Sequence, residues 1–437
     1  MDHNPFLAVD ARSVHAVLQI AAGSARIGGN APSLAEVVVI DTSSSMAGTK
    51  IEEAKRAAAA AVHTLRDGTL FAVVAGNTTA VPVYPAEAAM AVADSTTRAA
   101  AAEALDRVAA GGGTYLSTWL RFADRLLADA PVELKHALLL TDGQNIEGEQ
   151  PLKEALTACA GRFVCDCRGI GANWSPEQLK QIARSLNGGW KPISEPERLT
   201  EDFQEAMNRS IGKQVADVTL RVRVAPGARI ARLARVMPDI EDLTDKGCAT
   251  EGKIDFPLGS WGAEVCDYHL RIDVALEELT FKPGRGEEAS VGKLEVLVPG
   301  ADGRPTAVAH GSVKVRWTTD IRRSAQINPR VAGYTGQEEL ARAVNDAISA
   351  WDRESPDMGE KLGRAVALAH EIGRDDLLEH LAVLADIEDA ATGRVTPKQR
   401  AAVKREHVFM TSWLSEQSRP VNADGADGAD GPQDERG

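Results

Sequence analysis

The feature that most constrains this 437-residue chain is a change of hydrophobic rhythm along it. From Glu36 to about Ile211, short apolar runs alternate with stretches of helical spacing. Val37-Val38-Val39-Ile40 is a continuous β-branched run, as expected of a strand buried on both faces of a parallel sheet. The spacing then predicts a helix over Lys50–Leu65, strands over Leu70–Ala75 and Ala80–Tyr84, and helices over Thr97–Ala109 and Leu116–Leu127. A strand at Ala137–Leu140, a helix at Leu152–Ala160 and a strand at Arg162–Cys167 follow. Ser175-Pro176-Glu177-Gln178 opens a further helix with an N-cap serine, proline at the first position and glutamine three residues after the cap. A strand at Trp190–Ile193 and a helix over Leu199–Ser210 close the unit. This alternation predicts an α/β domain over residues 34–211, a Rossmann-like open parallel sheet with helices on both faces.

On either side the period becomes two. Val218, Leu220, Val222 and Val224 alternate with polar residues, as do Tyr268 to Val274, Leu294 to Val298, and Val313 to Trp317. These half-buried strands predict an all-β sandwich over residues 212–330. Residues 1–33 hold one strand of the same character, Val14–Ile20, which is expected to join the sandwich across the inserted α/β domain. Residues 331–417 show apolar stripes at helical spacing and are read as a helical bundle, with Leu377, Leu381, Leu384 and Ile387 on one stripe and a last helix starting at Thr396-Pro397. The repeated Ala-Asp-Gly of 418–437 reads as a disordered acidic tail.

Charge and composition narrow the classes of function. A net charge of −14 argues against nucleic acid and anionic membrane as partners, since both would repel the chain at long range. The first residues lack the cationic start and apolar core of a signal peptide, and no apolar run is long enough to span a bilayer, so a cytoplasmic location is expected. Five cysteines fit that compartment. Cys165 and Cys167 lack the spacing of a zinc or redox pair; they are read as buried apolar residues on opposite faces of their strand.

Three fragments sit where an open α/β sheet binds ligands, at the carboxyl ends of its strands. Asp41-Thr42-Ser43-Ser44-Ser45 follows the first strand, Gly113-Thr114 precedes the helix near Leu116, and Thr141-Asp142-Gly143 follows the strand Ala137–Leu140. Each alone reads as a turn. Together, in this order, they offer only oxygen donors, which suits Mg2+ and its six-oxygen shell, with Mn2+ as the alternative ion. Histidine and cysteine are missing from the set, which argues against zinc or copper. Neutral hydroxyls would leave the metal underneutralised, ready to take a Glu or Asp carboxylate from a partner protein.

Asp41-x-Ser43-x-Ser45, Thr114 and Asp142 resemble the complete metal-ion-dependent adhesion site of the von Willebrand factor A family. The flanking Val-Val-Val-Ile, Met46, Gly-Gly-Thr and Leu-Leu-Leu-Thr-Asp-Gly fit it too. The order of regions is similar to bacterial, often actinobacterial, cytoplasmic proteins carrying such a domain. The resemblance implies that Ser43 and Ser45 ligate the metal directly and Thr114 does so once a ligand is bound. Asp41 and Asp142 would hold the ion directly or through water, and a shift of the final helix, Leu199–Ser210, would tune affinity. It further implies a binding module and no enzyme. A role as adaptor of an AAA+ ATPase or of a kinase or phosphatase assembly is the alternative by family analogy. A magnesium-dependent phosphatase using Asp41 is the weaker rival, because such enzymes need a second Asp two residues on, where this chain has Ser43. On net charge, the partner face around its acid is expected to be neutral or basic.

Overall fold

The computed structural model describes residues 1–23, 33–278, 288–300, 302 and 304–421. Of the tail expected to be disordered, 422–437 lie outside the described residues, whereas 418–421 are placed, with Val421 buried and the Ser418 N–H donating to the Pro238 carbonyl at 2.9 Å. Among the described residues, no helix is long and apolar enough to cross a membrane.

Strand Leu34–Asp41 is the axis of the α/β region, with all eight residues buried. It pairs in parallel with Leu70–Gly76 on one side and Leu134–Thr141 on the other. Val164–Ile170 and Trp190–Ile193 extend the parallel sheet beyond Leu134–Thr141. Ala80–Tyr84 and Ala91–Val92 both run antiparallel to Leu70–Gly76 and complete seven strands. The strand order therefore reverses at Leu34–Asp41, and the crevice this opens lies at the carboxyl ends. Within that strand the side chains alternate. Val37 and Val39 enter a core with helices Leu116–Ala128, Glu149–Cys159 and Pro176–Ser185. Val38 and Ile40 enter another with Thr49–Thr64, Ser95–Asp106 and Leu199–Ile211. Ser175 caps its helix as expected, accepting from the Gln178 N–H.

Cys165 and Cys167 correct one expectation. Both enter the same core, with Sγ atoms 4.0 Å apart, because residues two apart on a strand share a face. Contact with Cys167 and burial hold the Cys165 thiol well above its ordinary value, which leaves it a packing residue.

Two sheets form the sandwich. Ser13–Ala21 pairs antiparallel with Val265–Val274 in the five-stranded sheet, so the N-terminal strand lies against a partner about 250 residues away in sequence. The six-stranded sheet is built around Val215–Val224 and Ala289–Pro299, and Phe6–Ala8 adds to its edge in parallel with Pro305–Thr318. Strand Ala228–Met237 escapes the period-two reading. Register shifts between Ile230 and Arg232 and between Arg235 and Met237 reset the facing along it, so its residues do not keep one alternation from end to end.

The C-terminal end is mostly helical: Pro329–Asp352, Met358–Ile372, Asp375–Leu384 and Arg405–Glu416. The stretch between the last two departs from expectation. Ala385–Asp389 and Arg394–Pro397 form a two-stranded hairpin, so Ile387 leaves the helical stripe and Pro397 ends a strand instead of opening a helix. Gly393 at φ +68° makes the turn and packs on Gly363, where a side chain on either residue would collide with the other's backbone. These helices share one continuous apolar core with the α/β region. Phe409 packs against Trp174 in a tilted pair, 4.6 Å between ring centres, and Glu416 accepts from Lys180 at 2.9 Å and from the Trp190 indole at 3.0 Å.

Candidate metal centre

Asp41 ends its strand fully buried. Its Oδ1 accepts from the Ser43 N–H at 2.7 Å and its Oδ2 from the Thr141 hydroxyl at 2.6 Å. The first bond is an Asx turn, in which a short carboxylate replaces a backbone acceptor and bends the chain away from the strand direction. That bend brings the next two serines together: the Ser43 and Ser45 Oγ atoms stand 3.0 Å apart. The Ser45 hydroxyl lies 2.6 Å from Asp142 Oδ1, to which it donates, and the Lys50 ammonium holds the other Asp142 oxygen at 2.5 Å.

The glycine loop is tied to the serine loop through its backbone. Gly111 N–H donates to the Thr42 carbonyl at 2.6 Å, and the Ser44 N–H and hydroxyl both donate to the Gly112 carbonyl, at 2.9 and 3.0 Å. Gly112 adopts φ +86°, a conformation that favours glycine, so the triple glycine is fitted to this contact. It delivers Thr114 into the crevice, 3% exposed. A Cβ on Gly143 would stand 2.7 Å from the Thr114 Oγ and 3.6 Å from the Ser45 Oγ. Glycine at 143 is therefore what lets the third loop close on the other two.

All five residues singled out from the sequence thus surround one crevice. Among the described residues no cluster of three or more His, Cys, Asp or Glu could hold a metal, so any centre here must use the hydroxyls. The donor set fits magnesium on one measurable point. Octahedral bonds of about 2.0–2.1 Å put neighbouring ligand oxygens about 3.0 Å apart, and the two serine oxygens are 3.0 Å apart already. Asp41 fits as well. Burial pushes its carboxyl up to about 6, against the hydrogen bonds from Thr141 and Ser43 that lower it.

Thr141, Gly143, Lys50 and Arg405 also belong to the site and carry no assignment from the sequence. The first two flank Asp142 in the motif, and Lys50 opens the following helix. Arg405 has no signal in the sequence, since it arrives from the last helix. It lines the same cleft, of about 450 Å3, together with Ser43, Ser45, Thr114, Ile146 and Asn173.

An open α/β sheet whose switch point gathers serine, threonine and aspartate oxygens defines a class of adhesion-type domains, and the comparisons agree with it. The profile of the family described as von Willebrand factor type A domain matches residues 35–191. A solved von Willebrand factor type A protein from Catenulispora acidiphila is 37% identical, with 95% of each chain covered and a TM-score of 0.87. This chain belongs to the von Willebrand factor type A family. An ArnB paralog, VWA2, from Sulfolobus acidocaldarius shares the fold over 98% of each chain at 13% identity and a TM-score of 0.54. The uncharacterized protein sll0103 of Synechocystis is 28% identical over 215 residues, and that match spans about half of its length, 49%.

Proposed function

We propose that the chain captures a partner protein's Glu or Asp carboxylate through a Mg2+ ion held by Ser43, Ser45, Thr114, Asp41 and Asp142. Charge balance at the crevice carries this reading. Asp142 is already paired with Lys50, so a dication set against two carboxylates and one ammonium leaves one unit of positive charge. A single external carboxylate would neutralise it, at an open cleft where hydroxyls leave coordination positions free. A metal would supply that electrostatic anchor. The protein's own contribution is to fix the oxygens beforehand, through the Asx turn, the glycine contact and the Gly143 approach.

The same geometry disfavours Asp41 as a phosphoryl acceptor. Asp41 is fully buried and is not among the residues lining the cleft, whereas a nucleophile needs an oxygen facing its substrate. Calorimetric titration with magnesium tests the proposal. One ion bound by the wild type, and none by Ser43→Ala/Ser45→Ala, would support it. Equal binding by both proteins would sink it.

A further inference from the structure

The sequence makes Arg405 one basic residue among 49, but the fold brings it to the metal cleft. Of the residues lining that cleft among those described, Arg405 is the only charged one. In a chain of net charge −14, the lining of this cleft above the buried Asp41 and Asp142 carries one guanidinium and no carboxylate. The guanidinium is exposed, lies over the Phe409 ring at 5.4 Å and has no ion-pair partner among the described residues.

The element presenting it is fixed. Phe409 and Val408 are buried, Phe409 packs on Trp174, and the far end of the helix is held by Glu416 to Lys180 and Trp190. Arg405 is the first residue of this anchored helix, with Glu406 as the acid of its first turn, so the guanidinium is presented at the cleft from a fixed element.

From this juxtaposition we propose that Arg405 is a specificity-determining residue. It selects a partner segment carrying a second acidic side chain close to the carboxylate taken by the metal. Ile146, 65% exposed on the same cleft, offers an apolar contact to the residues between or beside them. This rests on the carboxylate capture proposed above and revises the expectation from net charge. At contact range, inside the Debye length of about 8 Å, the local guanidinium outweighs the distant acidic surface.

Acetylated Gly/Ser octapeptides carrying one Glu, or two Glu separated by one to four residues, provide the test. Their binding to the full chain and to Arg405→Gln and Arg405→Lys is measured with magnesium and with EDTA. The expected result is magnesium-dependent binding of the one-Glu peptide by the wild type, with Arg405→Gln weakening the two-Glu peptides more than the one-Glu peptide. At least one two-Glu peptide should bind roughly fivefold tighter at low salt, as for an exposed ion pair. That gain should vanish in Arg405→Gln, persist in Arg405→Lys and shrink at high salt. A gain that survives Arg405→Gln, or two-Glu peptides binding no tighter than the one-Glu peptide, overturns the role of Arg405 while leaving carboxylate capture standing. Failure of the one-Glu peptide to bind with magnesium overturns the capture itself, and this inference with it.

Discussion

Strand Leu34–Asp41 buries a carboxylate near each end, and the two are treated differently. Glu36, near the start, is fully buried against a fixed cation: His136 Nδ1 lies 2.5 Å from one carboxylate oxygen, and the Ser210 hydroxyl lies 3.1 Å from the other. Burial alone would lower the His136 value, but Glu36 and Asp166 overturn that and raise it to about 10. Asp41, five residues later, receives only an N–H and a hydroxyl. The first carboxylate is completed by the protein and serves the fold. The second lies buried beside the cleft with no ion-pair partner among the described residues, which suits the metal-holding role proposed for it.

The largest test of this contrast is mutational. Glu36→Gln, which leaves His136 short of a partner, should cost about 3 kcal/mol in urea unfolding without metal. Asp41→Asn should cost under about 1 kcal/mol under the same conditions, because it removes a desolvated charge and keeps one acceptor. Equal costs would break the comparison. Next in size, magnesium at a hundredfold excess over its dissociation constant should stabilise the wild type by about 2.7 kcal/mol. Thermal melts of Asp41→Asn and of Ser43→Ala/Ser45→Ala should show no such gain.

The His136–Glu36 pair also predicts a pH signature. His136 binds its proton more tightly when folded, so its contribution is complete below about 6.5, the unfolded value, and is lost as pH rises through about 10. Between pH 7 and 9 the wild type should lose stability relative to Glu36→Gln/His136→Gln, by no more than about 1.4 kcal/mol per pH unit. Parallel urea midpoints for the two proteins would show that the pair is neutral. The smallest effect on the fold is expected for Gly143→Ala, which pushes the Thr114 hydroxyl aside at the crevice. Stability should change by less than about 1 kcal/mol while magnesium affinity drops in calorimetry; unchanged affinity would remove Thr114 from the site.

The fragments of the candidate site are readable in the sequence because each is local. Asp41 bends its own chain to place Ser43 and Ser45, and Asp142 directly follows an apolar strand that the pattern reveals. The parallel sheet is legible for the same reason, since each strand announces itself by a run of apolar residues. Legibility fails where bulges intervene, as in Ala228–Met237, where register shifts interrupt a strand's period of two. It fails again at 385–397, where Leu377, Leu381 and Leu384 set a helical stripe that the chain abandons for a hairpin.

By itself, then, the sequence determines the α/β unit and the sandwich strands of clean alternation, since these follow from periodicity, and it sets three oxygen-bearing fragments at strand ends, of which the family resemblance implies the five ligands. Tertiary structure alone decides that the helical end shares a core with the α/β region, that Lys50 partly neutralises Asp142, and that Arg405 stands at the mouth of the cleft. Contacts between residues nearly 100 to more than 350 positions apart leave no periodic trace in a single chain. Packing and charge pairing select them only once the elements have formed.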